Sequence, residues 1–299
     1  MKKPAIAIIL AALAIHAQAT EPFDIAITVD DLPAHGQLPP GTTRLHIAES
    51  YLATLKAHHV PEAFGFVNAS KLKDNPDGAA VLDAWRKAGY PLGNHAWTHM
   101  NLARAASLDA WQADVIAGEP EVAARMKGLD WHWFRFPNLS AGGERGPAAL
   151  AFLRTRGYQV ADVSVAFGDW DYTDAYARCV AEGDQASIEA MKRHYFQRID
   201  RGIAAMKVQS TQVFGRVIPQ VLLTHLGGWS AVTLPEVMAR LDAAGARYVT
   251  LARAQSDPAY ALAGGGSLIA RVAKEKGVKL AADPGNSAGP ELDIKGMCR

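Results

Sequence analysis

The sequence predicts an α/β protein built around a closed or nearly closed barrel of parallel strands. Seven short apolar segments alternate with segments that have the 3.6-residue apolar period of helices. Polar clusters follow several of these strands, which is typical of a barrel whose active site lies at the carboxyl ends of its strands. An open doubly wound sheet is the alternative, but no glycine-rich phosphate loop follows the first strand.

The first half of the chain contains four of the predicted strands. These strands are expected at residues 23–29, 63–67, 90–94 and 131–136. Helices are expected between them, from the cap at Thr42-Thr43 to about His59, from Pro76 to Gly89, and from the cap at Ser107 to about Lys127. Each strand is therefore joined to the next by a helix, as parallel pairing requires.

The second half continues the alternation and then loses it. A helix is expected at residues 146–156, and strands are expected at residues 158–165, 220–224 and 247–251. Residues 171 to about 216 read as a helical insertion after strand 5, and residues 234–244 as a further helix. Beyond Ala252 a helix at 267–276 and a loop at 283–290 are expected. We therefore expect one domain over residues 20–255 and a carboxyl-terminal tail over residues 256–299.

Residues 1–19 have the pattern of a cleavable signal peptide. Lys2 and Lys3 precede the apolar run 5–15, and Ala17-Gln18-Ala19 provides a small-x-small cleavage site. A membrane anchor is the alternative, but the run is too short to cross the bilayer comfortably. We expect cleavage after Ala19, a secreted or periplasmic protein, and no stable membrane anchor afterwards.

The charge of the chain gives no sign of a nucleic-acid partner. Removal of the leader would change the formal charge from +1 to −1, and no basic run is present, so nucleic acid is not an expected partner.

The two cysteines, Cys179 and Cys298, do not have the spacing of zinc ligands. In an exported protein they could form a disulfide that ties the tail to the body, and two separate thiols are the alternative.

The segment Gly93–His99 carries the strongest local signal. His95 and His99 are four residues apart just after a predicted strand. In a helical turn this spacing points both imidazoles toward one metal ion.

Four other polar groups follow predicted strands. They are Asp30-Asp31, Arg135, Asp169 and His225. Three of them could have purely structural roles: Asp30-Asp31 as a turn or helix cap, Arg135 as a strand-edge residue and His225 as a core histidine. Their joint position at strand ends nevertheless predicts a shared site.

An aspartate and two histidines around a divalent ion leave open coordination positions, as in catalytic sites. Adjacent side chains on a strand diverge, so we expect one carboxylate of Asp30-Asp31 to bind the ion and the other to act as a base.

Five of these segments, in this order, resemble the motifs of the polysaccharide deacetylases of carbohydrate esterase family 4, the NodB homology domain. The resemblance covers residues 24 to 251. The matching segments are Thr28-Val29-Asp30-Asp31, Gly93-Asn94-His95-x-Trp97-x-His99, Arg135-Phe136-Pro137-Asn138, Gly157-Tyr158 with Asp169-Trp170, and Leu223-Thr224-His225.

The resemblance implies a distorted (β/α)7 barrel and a role for each matching residue. Asp31, His95 and His99 would bind one divalent ion, with Zn expected and Co, Mn or Ni as alternatives. Asp30 would be the general base, and Arg135 would hold it. His225 would be the general acid, oriented by Asp169. The Asn138 N–H would stabilise the oxyanion, and Trp170 would line the groove.

The chain departs from the family pattern at several positions. Ala96 stands where Ser or Thr is common, Asn138 replaces Tyr, Leu32 replaces Gly, and Leu226 follows His225 where Asp is frequent. These changes leave the expected metal ligands, base and acid in place, so the substrate is the property they affect. For Trp170 and Trp229, stacking on a sugar ring and packing in the core or groove are equally consistent with the sequence, while Trp131 and Trp133 fit packing within a strand.

The expected activity is removal of acetyl groups from N-acetylated sugars by an exported enzyme, with an acetylated polysaccharide or oligosaccharide as partner. An O-acetyl esterase or a small cyclic-amide hydrolase on the same fold is the first alternative. A non-catalytic carbohydrate-binding domain is the second.

Overall fold

The computed structural model describes residues 21–73, 75, 77–262, 264–281 and 292–299. The expected signal peptide, Pro76 and the expected loop at 283–290 lie outside the described residues. The strands are β1 Phe23–Leu32, β2 Ala63–Val67, β3 Leu92–Asn94, β4 Trp133–Phe134, β5 Gln159–Val160, β6 Val165–Ala166, β7 Gln220–His225 and β8 Ala246–Tyr248.

These strands form one curled parallel sheet, so the predicted distorted (β/α)7 barrel is confirmed. Seven strands lie in the order β5-β4-β3-β2-β1-β7-β6. β8 pairs with the start of β1, at Phe23–Ile25, before the pairing with β2 begins at Ile27. Among the described residues no ladder joins β5 to β6, so the sheet stays open at that point.

Helices connect the strands and follow the last of them. They are α1 Arg44–Ala57, α2 Gly78–Lys87, α3 Leu108–Arg125, α4 Gly146–Thr155, α5 Thr173–Glu182, α6 Gln185–Phe214, α7 Gly228–Ala243, α8 Leu251–Gln255 and α9 Leu268–Glu275. Thr43 and Ser107 accept backbone hydrogen bonds as amino-terminal caps, at the positions expected from the sequence. α5 and α6 form the predicted helical insertion.

The predicted fifth strand, residues 158–165, is wrong as a single element. It forms two short strands, and β5 pairs with β4 whereas β6 pairs with β7 at the other end of the sheet. Between the two strands, the Asp162 carboxylate accepts hydrogen bonds from Arg271 and the Ser164 hydroxyl donates to Gln220. These partners are distant in sequence, so the apolar pattern could not show the break.

Other boundaries differ by a few residues. The fourth strand is reduced to Trp133–Phe134, and α7 begins at Gly228 rather than at Leu234. The predicted seventh strand ends at Tyr248, because Thr250 caps α8 instead of continuing the sheet.

The carboxyl-terminal segment contributes to the interior of the sheet. Ala26 of β1 lies on the same face as Asp30, since alternate residues of a strand share a face. It belongs to a buried cluster with Phe66 of β2 and with Leu268 and Ile269 of α9. The opposite face packs against α1, α2 and α7. α9 therefore fills part of the inner space that the open sheet leaves.

A disulfide joins Cys179 of α5 to Cys298 near the carboxyl terminus. The pairing hypothesis is thus confirmed over the alternative of two separate thiols. Arg178 adds hydrogen bonds to the carbonyls of Lys295 and Met297. In the described part of the chain, no helix is long and apolar enough to cross a membrane.

Candidate active site

The carboxyl end of β1 carries two buried carboxylates, Asp30 and Asp31. The ladder with β2 is irregular between Val29 and Leu32, and Asp31 has a left-handed backbone conformation with φ 66°. This irregularity turns the Asp31 side chain, so both carboxylates line the same cavity. The expectation that the two side chains diverge is wrong, because it assumed an unbroken strand.

His95 and His99 converge on Asp31, but a helical turn does not bring them together. The segment after β3 is a loop in which Ala96 and His99 have φ values of 64° and 61°. The Asp114 carboxylate holds this loop by accepting hydrogen bonds from the Thr98 N–H and hydroxyl. The predicted convergence of the two imidazoles is therefore achieved by loop geometry.

The three side chains have the arrangement of a metal site. The Asp31 Oδ1 atom lies 3.7 Å from His95 Nε2 and 3.6 Å from His99 Nε2. This oxygen is buried and has no hydrogen-bond partner within the described part of the chain. His95 Nδ1 lies 2.8 Å from the Arg135 carbonyl, which leaves Nε2 free to bind an ion. Asp31, His95 and His99 therefore fit a divalent cation.

The pKa directions agree with this arrangement. Burial lowers the pKa of both His95 and His99 to about 4, so each imidazole is neutral at pH 7, as a metal ligand must be. Burial alone would raise the pKa of Asp31. The hydrogen bond from His35 and the charge of Lys71 outweigh it and hold this pKa well below its ordinary value.

Asp30 is held by a buried arginine. Arg135 Nη1 lies 3.0 Å and 3.2 Å from the two carboxylate oxygens of Asp30, and Arg135 Nη2 lies 2.9 Å from the Thr28 hydroxyl. Burial raises the pKa of Asp30, and the charge of Arg135 opposes that rise. A carboxylate fixed in this way, with a raised pKa, has the properties of a general base.

His225 ends β7 and faces the same cavity. Its Nδ1 lies 3.0 Å from Asp169 Oδ1, and its backbone N–H donates to Asp169 Oδ2 at 2.7 Å. Burial alone would lower the pKa of His225, but Asp169 above all raises it to about 9. The imidazole is thus protonated at pH 7 and can donate a proton.

These residues surround a half-open cavity of about 330 Å³. Its lining is Asp30, Asp31, His35, His95, His99, Asn138, Leu139, Trp170, Leu223 and His225. Seven of the nine predicted site residues are among them. Arg135 and Asp169 lie behind the cavity wall, where each contacts a lining residue.

Asn138 and Trp170 border this cavity. Asn138 has φ 54°, and no described residue accepts a hydrogen bond from its N–H. Trp170 is 39% exposed, and its ring lies edge-on to His225 at a centroid distance of 5.4 Å.

Of the two alternatives for Trp229, the structure shows core packing. Its side chain is fully buried in the core and stacks on Tyr172 at 5.0 Å, so no ligand reaches it.

His35 is a site residue that the sequence reasoning missed. Its Nδ1 lies 2.6 Å from Asp31 Oδ2, and its ring lies 4.5 Å from that of His225. Asp31, His35 and His225 also lie close enough together to form a group of possible metal ligands. The only sequence signal was a histidine four residues after Asp31, and no regular element connects the two positions.

A protein-family model matches the amino-terminal part of the chain. Residues 17–160 match the family model described as polysaccharide deacetylase. A comparison with curated proteins gives no match.

Several solved structures share the fold at low sequence identity. A carbohydrate esterase family 4 pseudoenzyme from Bacillus anthracis, in a variant with restored enzymatic activity, is 19% identical with a TM-score of 0.52, over 79% of this chain and 68% of that chain. The catalytic domain of peptidoglycan N-acetylglucosamine deacetylase from Eubacterium rectale is 18% identical with a TM-score of 0.51, over 76% and 87% of the two chains. A deacetylase solved with substrate is 16% identical with a TM-score of 0.51, over 79% and 92%.

Proposed function

Because residues 17–160 match the polysaccharide deacetylase family, we propose that this protein is a metal-dependent hydrolase that removes acetyl groups from N-acetylated sugars. The observation that carries the proposal is one cavity that combines three possible metal ligands with a held carboxylate, Asp30, and a held imidazole, His225. Amide hydrolysis needs a base for the attacking water and an acid for the leaving amine.

Asp31, His95 and His99 would hold one divalent ion, with zinc expected and Co, Mn or Ni as alternatives. Bound there, the ion would supply Lewis acidity to the substrate carbonyl and would lower the pKa of the attacking water. The hydrogen bond between His95 Nδ1 and the Arg135 carbonyl would keep the ring oriented with Nε2 toward the cavity.

The remaining groups would move protons and stabilise charge. Asp30 would accept a proton from the attacking water, with Arg135 fixing both oxygens of its carboxylate. His225 would donate a proton to the leaving nitrogen, with Asp169 fixing its ring. The Asn138 N–H, which has no partner among the described residues, would donate to the oxyanion.

Trp170 would bind a sugar ring beside the reacting group. Its ring is partly exposed at the mouth of the cavity and lies close to His225. The axial C–H groups of a pyranose pack well on such an aromatic face.

We further propose that the protein is exported and cleaved after Ala19. The charged start, the apolar run and the cleavage pattern of residues 1–19 support this. The disulfide between Cys179 and Cys298 also favours an oxidising compartment. Amino-terminal sequencing of protein from the extracytoplasmic fraction should start at Thr20, and a chain that starts at Met1 would contradict the proposal.

Acetate release tests the activity. The metal-reconstituted protein is incubated with N-acetylglucosamine oligomers and with O-acetylated xylan, with and without chelator. We expect chelator-sensitive release from the N-acetylated oligomers. Release only from the xylan would instead indicate an O-acetyl esterase, and binding of the oligomers without turnover would indicate a carbohydrate-binding role.

Variants test the assigned roles. Asp30→Asn and His225→Ala should each lower kcat by about 10²- to 10⁴-fold while the fold is retained. His95→Ala should lose the metal. Full activity of Asp30→Asn would contradict the proposed mechanism.

A further inference from the structure

His35 lies three residues beyond the end of β1 and forms part of the cavity lining. Its side chain is 22% exposed and borders the same cavity as Asp31 and His225. The mechanism proposed above gives His35 no role, although its imidazole contacts Asp31 directly.

The hydrogen bond between His35 and Asp31 has a defined direction. His35 Nδ1 lies 2.6 Å from Asp31 Oδ2. An ionised carboxylate can only accept hydrogen bonds, so Nδ1 carries the proton and donates it. With Oδ2 engaged in this way, the unpartnered Oδ1 is the oxygen that faces His95 Nε2 and His99 Nε2.

His35 is itself held from two sides. Its backbone N–H donates to the Leu226 carbonyl at 2.6 Å. Its ring packs on that of His225 with an interplanar angle of 44°. The loop after β1 is thereby fixed to the loop after β7, and the imidazole has little freedom to leave Asp31.

Lys71 does not replace this contact. Its Nζ lies 3.9 Å from Asp31 Oδ2 and donates instead to the Ala34 carbonyl at 3.0 Å. Within the described residues, His35 is therefore the hydrogen-bond partner that orients the Asp31 carboxylate.

We propose that His35 is a positioning residue for the metal ligand Asp31, which it holds with Oδ1 directed at the ion. This inference rests on the proposed function, because it concerns the metal site of that function. Hydrogen-bond partners of metal ligands fix ligand orientation, and their loss typically lowers metal affinity by about 10- to 100-fold.

Zn²⁺ binding by the full chain tests the proposal without any need for turnover. Affinity and stoichiometry are measured by competition with a chromophoric chelator for the wild type, His35→Ala, His35→Asn and His35→Gln. The amide nitrogen of Asn lies as many bonds from Cα as Nδ1 of His, so Asn can still donate to Asp31. The amide nitrogen of Gln lies one bond further out. His46→Ala, which removes an exposed histidine of α1, is the control.

We expect one ion per wild-type chain, with affinity weakened about 10- to 100-fold in His35→Ala and His35→Gln. Affinity close to the wild-type value is expected in His35→Asn and His46→Ala. This rescue by Asn distinguishes orientation of Asp31 from a general packing role.

Three results would overturn the proposal. Equal affinity in the wild type and His35→Ala would refute the role of His35 while leaving the metal site intact. Two ions in the wild type and one in His35→Ala would make His35 a ligand of a second ion, together with Asp31 and His225. A wild type that binds no ion would refute the metal-dependent function itself.

Discussion

At the residue scale, the two kinds of histidine in the site differ in the partner of Nδ1. In His95 this nitrogen contacts a neutral carbonyl, that of Arg135, and burial lowers the pKa of the ring to about 4. In His225 it contacts the Asp169 carboxylate, and the pKa rises to about 9. One imidazole is thus suited to bind a cation and the other to donate a proton, although both lie in the same cavity.

The pH dependence of activity follows from this difference. As the proton donor, His225 must be protonated, so wild-type activity should decline as the pH rises through about 9. Asp169→Asn removes the charge that raises this pKa, so the alkaline limb should move about 1–3 pH units lower. The kcat of both proteins is measured across the pH range.

Asp171→Asn is the matched control, because Asp171 lies on the same short helical turn but pairs with Arg198. Its alkaline limb should coincide with that of the wild type. An unmoved limb in Asp169→Asn would show that His225 does not set it.

At the element scale, the loop after β4 depends on the carboxyl-terminal segment. Asn138 and Leu139 have φ values of 54° and 53°, a conformation that is costly for residues other than glycine. The Gly266 N–H donates to the Leu139 carbonyl and so supports this loop from outside. A segment expected to be part of a tail therefore helps to place the Asn138 N–H.

Gly265→Ala tests this support. A Cβ at Gly265 would lie 2.4 Å from the Leu139 carbonyl oxygen and 2.5 Å from the Ala141 nitrogen, so backbone must shift. If Asn138 moves by as much as 1 Å, kcat should fall by roughly 10- to 100-fold, while zinc affinity is retained because no ligand lies on the loop. The kcat and the zinc affinity are measured together.

Ser267→Ala provides the control in the same segment. It removes a hydroxyl that makes no cap hydrogen bond to α9 and adds no atom near the Leu139 carbonyl. Its kcat should remain near the wild-type value. Equal losses in the two variants would mean that the segment acts through overall packing rather than through the Asn138 loop.

At the scale of the whole molecule, the open sheet is completed by the end of the chain. α9 packs into the interior cluster, and Asp162, which lies between β5 and β6, accepts a hydrogen bond from Arg271 of α9. The disulfide then joins the carboxyl terminus to α5, with a sequence separation of 119 between its cysteines. It limits the conformational freedom of a long stretch of the unfolded chain.

Cys298→Ser should therefore lower the free energy of unfolding by about 2–4 kcal/mol. Urea unfolding of the variant and of the wild type, each with and without reductant, gives this difference. The reduced wild type should match the variant, and reductant should not change the variant further. Equal midpoints for the oxidised wild type and the variant would contradict the expected stabilisation.

The sequence by itself determined the fold class and the position of the polar side chains at the carboxyl ends of the strands. Apolar runs such as Ala63–Val67 and caps such as Thr43 and Ser107 are local signals, because strand and helix periods and capping involve only neighbouring residues. Five residues could be assigned to one face because the carboxyl ends of parallel strands open on the same side of the sheet. They are Asp30, Asp31, His95, His99 and His225. Their catalytic and metal-binding roles stay predictions.

Only the tertiary structure decided how these side chains meet. The burial of Trp229, the division of the fifth strand and the placing of His35 all depend on partners distant in sequence. His35 reaches its position through the Leu226 carbonyl, 191 residues further along the chain. Local sequence patterns do not predict such contacts, because the contacts form only when folding brings the strand ends together.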